Sequence, residues 1–439
     1  MKIEYINMAR KCVAVAAFMA LSVPYIGAQT VLDLEKCKQL ALENNYTLKQ
    51  GELEVEIARA RSKEAFTHYF PVINSGMMLF KSNEPLISKS IELPVPQLPP
   101  LSFEMIKEGV VGSVMAVQPV FAGGQIVNSN RMAKLGRVMT EEKFELTKEE
   151  VLLKVEQMYW NSVEVEQKMK TVEAAKKQLV AVLKQTNDFV DAGLITKNNL
   201  LAVNLKLNEL KSQEFQLENA QSIIKKMLAQ LIGVGVDTVS FVSPTQWKEA
   251  SPFSYKVDSY EAVQTSRSLS LLTKQVDLRN LERRIAIGKH LPSLSLGGAY
   301  LYHNLLDKSS NSAIGMVSLS IPISSWWGGS HKIKQARLKL RQAEIQRMDA
   351  SQQLVLNVDN HYSKLEEAYK QLQVANEGIK EAEENYRMCK DNYDSGINSI
   401  TELLDAQTIL QKNENLKTDA LISYQISLSH YLQLTNRYQ

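Results

Sequence analysis

Ser399-Ile-Thr-Glu402 is the short motif in this chain whose residue types and spacing carry the most definite chemistry. A serine three residues before a glutamate can exchange hydrogen bonds with it across the start of a helix, each side chain accepting from the other residue's N–H. That chemistry is capping, not catalysis. The motif follows Gly396, and glycine readily takes the left-handed conformation that ends helices. Gly193 and Thr196 repeat the arrangement with a looser cap. No other constellation points to a reaction: there is no nucleophile elbow, no phosphate loop and no carboxylate pair in a strand-end setting. The six histidines are scattered without ligand spacing, so the sequence predicts no metal site and no cofactor. Gly123-Gly124 and Gly328-Gly329 are corner glycines rather than a phosphate cradle. The chain does not read as an enzyme.

The two glycine turns belong to an internal repeat. Asp188-Phe-Val-Asp-Ala-Gly193-Leu-Ile-Thr196 recurs as Asp391-Asn-Tyr-Asp-Ser-Gly396-Ile-Asn-Ser399, 203 residues later, and Pro119 recurs at the same offset as Pro322. Pro71 and Pro292 are 221 residues apart, because the first half carries a proline-rich insertion from Pro85 to Pro100. A repeat of this length bounds the fold before any other signal.

Residues 1–28 read as a secretory signal: Lys2, Arg10 and Lys11, a short apolar run from Val13 to Val23, then Ile26-Gly27-Ala28 before a cut. The apolar run is too short to span a bilayer as a helix, and no lipobox precedes Cys12. Removing the signal takes away Lys2, Arg10, Lys11 and Glu4, so the net charge falls from +3 to +1. Nothing there suggests nucleic acid as a partner. Two cysteines remain, Cys37 and Cys389, in helices that place them too far apart to pair.

Residues 125–192 contain no proline and one glycine, and Phe144, Val151, Met158, Val165, Val172 and Leu179 recur every seven residues. Val358, Leu365, Leu372, Ile379, Tyr386 and Tyr393 do the same in the second half. That period predicts long helices packed side by side with a left-handed supercoil. A continuous helix from Gln125 to Gly193 is ~100 Å long. The expected layout is a first repeat at 29–232, a connector at 233–257 and a second repeat at 258–439. Helical hairpins are expected at 125–232 and 329–435. Shorter helices are expected at 33–66, with a break at Asn44-Asn45, and at 258–289. Strands are expected at 71–82, 106–118, 292–303 and 312–321. The third is the clearest, with Leu294, Leu296, Tyr300 and Tyr302 alternating with small or polar residues.

Helices are expected to stop or start at Pro71, Pro119, Pro292 and Pro322. Aromatic residues gather at these corners, among them Phe121, Trp326 and Trp327, as they do at membrane–water interfaces. Strands of about 10 residues suit a tilted membrane strand. Four strands cannot close a barrel, whereas three copies would supply twelve.

With that layout, the corner Gln118-Pro-Val-Phe121-Ala-Gly-Gly124 and the run Tyr393-Asp-Ser-Gly396-Ile-Asn-Ser399-Ile-Thr-Glu402-Leu-Leu-Asp405 resemble the TolC-type outer-membrane efflux family. The resemblance covers nearly all of the mature chain. It implies an internally duplicated α+β membrane protein in the outer membrane. Each chain would give four strands to a 12-stranded trimeric β-barrel, continued by a long antiparallel coiled-coil α-helical barrel in the periplasm. The implied role is the passive exit duct of a tripartite efflux pump or type I secretion system. A periplasmic adaptor would dock at the tips (Gly193, Thr196, Gly396, Ser399), and an inner-membrane pump would supply the energy. The resemblance also makes Glu402 and Asp405 pore-constricting carboxylates and Tyr393 a gating residue. Glu402 reads equally as the capping acid of Ser399, and Tyr393 as the next member of its heptad row. The matching first-half positions, Asn199 and Ala202, are uncharged. A soluble periplasmic coiled-coil adaptor is the alternative, but it leaves two strand pairs with prolines and aromatics at corresponding places unexplained.

Overall fold

A computed structural model describes residues 30–91, 101–235, 239–241, 247, 249–305 and 308–437. The signal at 1–28 and residues 92–100 of the proline-rich insertion lie outside the described residues. The chain opens with strand β1 (Thr30–Leu32), helices α1 (Leu34–Asn44) and α2 (Tyr46–Thr67), and strands β2 (Val72–Lys81), β3 (Ile87–Ile91), β4 (Leu101–Met105) and β5 (Glu108–Ala122). A helical hairpin follows, α3 (Gln125–Asp191) and α4 (Lys197–Ile232), then β6 (Val239–Phe241). The second half holds α5 (Ser259–Gln264), α6 (Arg267–Gly288), β7 (Ser293–Leu305), β8 (Lys308–Ser320) and a second hairpin, α7 (Ser325–Asp394) and α8 (Ile400–Leu434). Two compact units result. The first holds residues up to Lys49 with Lys148–Val257 and Asp359–Gln439; the second holds Gln50–Thr147 and Asp258–Val358. Helices α3 and α7 contribute to both.

In the first unit the heptad rows form the core. Val172, Ala175, Leu179 and Val182 of α3 meet Val203, Leu207 and Leu210 of α4, and Ile400, Leu403 and Leu404 of α8 close the cluster. Leu365, Leu372 and Ile379 of α7 are buried, as are the small residues Ala368 and Ala382, three places after Leu365 and Ile379. Asn45 separates α1 from α2 and caps the latter. Its Oδ1 accepts from Thr47 N (2.8 Å) and Leu48 N (3.2 Å), while its Nδ2 donates to Leu231 O at the end of α4 (2.7 Å). Strands β1 and β6 pair in parallel. Three-residue strands show no periodicity, so β1 is invisible in the sequence. The connector is tied to α8 at two points: Tyr424 Oη donates to Ala250 O, and Val257 N donates to Tyr431 Oη (3.1 Å). Each of these tyrosines also meets a ring of α7, Tyr369 and Tyr362 respectively. The cysteines are free: Cys37 is buried, which pushes its thiol up to about 12, and Cys389 is half-buried.

The second unit is built on an antiparallel sheet in the order β2–β5–β7–β8. The sequence expectation needs correcting in three places. Strand β5 runs on past Pro119 to Ala122, with a register shift between Pro119 and Phe121. A bulge is where a strand tolerates a residue without an N–H. The helix expected over 258–289 is two helices, because Ser266 caps a new start by accepting from Leu269 N (3.2 Å). The ends of the proline-rich insertion are not all loop: β3 and β4 pair as a short antiparallel stem.

Asn45→Ala removes the cap of α2 and the hydrogen bond that ties it to α4. We expect a loss of about 1–3 kcal/mol, read as a lowered denaturant midpoint by far-ultraviolet circular dichroism. An unchanged midpoint would show that this joint bears no load.

Candidate functional site

The functional features form two groups, one in each unit. In the first unit they are the hairpin tips. Gly193 and Gly396 both have left-handed backbones, φ +71° and +74°. At each, the next residue reaches back five positions to close the helix: Leu194 N donates to Phe189 O (2.9 Å) and Ile397 N to Asn392 O (2.8 Å). That leaves Leu194 and Ile397 as exposed apolar residues at equivalent places on the two tips.

The helices restarting after the tips are not equivalent. Ser399 and Glu402 form the full capping box: Ser399 N donates to Glu402 Oε2 (2.7 Å) and Glu402 N to Ser399 Oγ (3.3 Å). Thr196 occupies the N-cap of α4 but its side chain makes no capping hydrogen bond. Glu402 is therefore the capping acid, and it is still exposed. Asp405, one turn on and on the same side, is exposed and makes no ion pair among the described residues. The exposed stripe continues along α8 through Ile409, Lys412 and Leu416, in heptad steps, until Asp419, which is bridged to α3. Glu402 and Asp405 head a free helix face.

Tyr393 lies apart from that stripe. It is 5% exposed and packs in the core between the hairpins, its ring 6.4 Å from Phe189 and its Oη 3.2 Å from Thr186 Oγ1. Beside it, Gln185 Nε2 donates to Asp394 Oδ1 (3.2 Å), and Lys390 binds the other carboxylate oxygen (2.7 Å). The Lys390 ammonium holds the Asp394 carboxyl below its ordinary range. Thus α3 and α7 are joined near their tips by one buried and one exposed hydrogen bond. Further along, Gln411 Nε2 donates to Gln213 Oε1 (2.7 Å), and Lys168 pairs with Asp419 (2.7 Å). Thr186, Gln185 and Gln213 are absent from the sequence reading. A threonine, whose hydroxyl also donates to Val182 O (2.8 Å), is an ordinary helix residue until the fold brings Tyr393 to it.

In the second unit the features are the sheet and its corners. Register puts Leu294, Leu296, Tyr300 and Tyr302 of β7 on one face with Val317 and Leu319 of β8, Val110 and Val114 of β5, and Ile73, Met77 and Leu79 of β2. The other face carries Ser293, Ser295, Ser310, Ser312, Ser318, Ser113, Asn74 and His303 among its apolar residues. No described side chain of the four strands is buried.

Pro71 and Pro292 lie between helix and strand, and Pro322 in the turn from β8 to α7. At the first corner Phe66 packs against Tyr69 and Phe70, each at 5.6 Å, and Gln118 Nε2 donates to Tyr69 O (3.0 Å). Phe121 is exposed. Gly123, at φ +59°, lies against Gly288, where a β-carbon would fall 2.1 Å from the carbonyl oxygen. At the second corner Trp326 Nε1 donates to His290 O (2.9 Å), and His290 Nδ1 meets Ser325 Oγ (3.1 Å). Trp327 is 82% exposed.

The sequence matches the family model described as outer membrane efflux protein over residues 38–234 and 259–437. No curated protein sequence matches it. Solved structures share the fold at low identity. The Campylobacter jejuni CmeC outer membrane channel matches with a TM-score of 0.78 at 16% identity, over 92% of this chain and 86% of that one. The outer membrane protein VceC of Vibrio cholerae matches at 0.75 and 12%, over 91% and 96%. The open state of the Neisseria gonorrhoeae MtrE outer membrane channel matches at 0.73 and 16%, over 92% and 89%. With both halves of the duplication matched, and with a sheet and hairpins of this form, the chain belongs to the outer membrane efflux protein family.

Proposed function

We propose that this outer-membrane protein is the exit duct of a tripartite efflux pump or type I secretion system, formed by three copies of the chain. The observation that carries the reading is the four-stranded sheet. Both edges, β2 and β8, lack a neighbour within the described chain, and one face carries the tyrosines and large aliphatic residues, with Ser75, Gln118, Asn304, Ser309, Asn311 and the Lys81–Glu108 pair as its polar members. In a bilayer each unpaired backbone group costs several kcal/mol, so a sheet there must close on itself. Four strands are too few for a barrel, and twelve lie well within the even numbers that bacterial barrels use. Lipid then covers the apolar face, and the serine-rich face lines the lumen.

The tips follow the same symmetry. Glu402 and Asp405 become two rings of three carboxylates at the periplasmic mouth, which favour cations. Tyr393 acts from within the wall, where its bond to Thr186 holds the second hairpin to the first and so sets how far the mouth opens. Leu194 and Ile397 give a periplasmic adaptor an apolar foothold, and the adaptor links the duct to an inner-membrane transporter.

The oligomer is tested directly: purified in detergent, the protein should show three times the protomer mass in native mass spectrometry and form ion-conducting channels in planar bilayers. A non-conducting monomer would end the proposal. The carboxylate rings are separable from capping, because glutamine can serve in a capping box. Glu402→Gln with Asp405→Asn should therefore cut cation-over-anion selectivity several-fold without lowering stability, whereas Glu402→Ala also loses the cap, about 1 kcal/mol. Selectivity unaltered in the Gln/Asn variant would leave Glu402 as a cap alone. Tyr393→Phe keeps the ring and removes the hydroxyl. It should cost about 0.5–1.5 kcal/mol and raise the open-channel current, and wild-type conductance would rule out the tyrosine as a restraint.

A further inference from the structure

The two long helices leave the sheet with a charge pattern that the duct reading does not use. From Ser325 to Arg341, α7 carries Lys332, Lys334, Arg337, Lys339 and Arg341 and no acidic residue. The start of α3 repeats this: Arg131, Lys134 and Arg137 come before the first acid, Glu141. Arg341 and Arg137 have acidic partners on their own helices, Glu344 (3.1 Å) and Glu141 (3.6 Å). Lys332, Lys334, Arg131 and Lys134 are exposed without an ion pair in the described chain, and so is Lys289, next to the residue whose carbonyl accepts from Trp326. Arg337 is likewise exposed and unpaired. At the far ends of β2 and β5, by contrast, Lys81 pairs with Glu108 at 2.8 Å. At the corner end of the sheet, then, exposed cations without an ion pair among the described residues occur in both halves of the duplication.

We infer that this basic belt is a binding surface for anionic phospholipid headgroups of the periplasmic leaflet. The inference rests on the membrane reading of the sheet. Trp327 and Trp326 mark the level of the interface, since exposed indoles favour that depth. Along the helix axis Lys332, Lys334 and Arg337 lie about 8, 10 and 15 Å beyond Trp327. A headgroup layer is about 6 Å thick and a Debye length about 8 Å, so these three fall where a charged leaflet is felt. Lysine and arginine stems can also lie along apolar surface while their heads reach phosphate. The occupant is lipid rather than a soluble anion because the cations continue an exposed aromatic collar instead of lining a pocket.

The test uses the full mature trimer in phosphatidylcholine vesicles containing either brominated phosphatidylglycerol or brominated phosphatidylcholine. Bromine quenches only nearby indoles, so tryptophan fluorescence reports the lipid at the collar. The wild type should favour phosphatidylglycerol on the order of threefold or more at about 0.05 M salt, and lose most of that preference at about 1 M. A combined Lys332→Gln, Lys334→Gln, Arg337→Gln trimer should fall toward equal quenching by the two lipids. Equal quenching in the wild type overturns the belt. So does a preference that survives in the variant, and if the variant instead changes ion selectivity the cations belong to the duct wall. Absence of quenching by either lipid is a different failure, because it removes the sheet from the membrane altogether.

Discussion

Unpaired backbone at the two edges of one sheet is the constraint on which the rest of this protein depends. Strands β2 and β8 each expose a row of N–H and C=O groups along ten or more residues. In water such edges invite aggregation, and in lipid they are untenable. Neither face of the sheet offers a remedy within one chain, since no described side chain of its four strands is buried. In the proposed duct, neighbouring copies supply that remedy. Duplication lessens the problem without removing it: β5 and β7 join the two halves edge to edge, leaving two free edges where separate halves would leave four.

The helices answer a different demand. A hairpin that must hold its shape over many turns cannot draw on a globular core, so it repeats a small one. Large residues such as Leu365 and Leu372 alternate with Ala368 and Ala382, which lets the backbones approach. The repeating seam needs stops that do not fray, and glycines at φ near +70° supply them at both tips. Where the chain must change direction within the first unit, side chains replace the seam. Asn45 ties two helix ends together, and Tyr424 and Tyr431, one heptad apart, grip the connector at Ala250 and Val257.

Much of this was legible in the sequence for identifiable reasons. Period seven in α3 and α7, period two in β7, and glycine or proline at the turns are local signals, and each leaves a trace in a short window. What escaped was non-local or too short. Strand β1 is three residues long and exists because β6 lies beside it. The β3–β4 stem sits at the ends of a proline-rich run that reads as loop. Pro119 reads as a strand stop, yet the bulge beside it lets the strand pass. At the tips, the capping box was readable because both partners lie within one turn. The Thr186–Tyr393 bond joins residues 207 positions apart and leaves no sequence mark.

The differences between the two halves are more telling than their likeness. The first tip has Thr196 without a side-chain cap, then Asn199 and Ala202; the second has Ser399, Glu402 and Asp405 at the same places. The polar anchors at the tips also belong to the second hairpin, since Tyr393 and Asp394 both reach toward α3. A duplicated gene begins with two identical hairpins that would share any task equally. Under the proposed duct, concentrating the cap, the Glu402–Asp405 carboxylates and Tyr393 on one of them would separate the roles: the first hairpin would be frame, and the second the part that meets ions and is held back. A regulated mouth needs such a division, because a wall in which every helix is equally fastened has no element that can move alone.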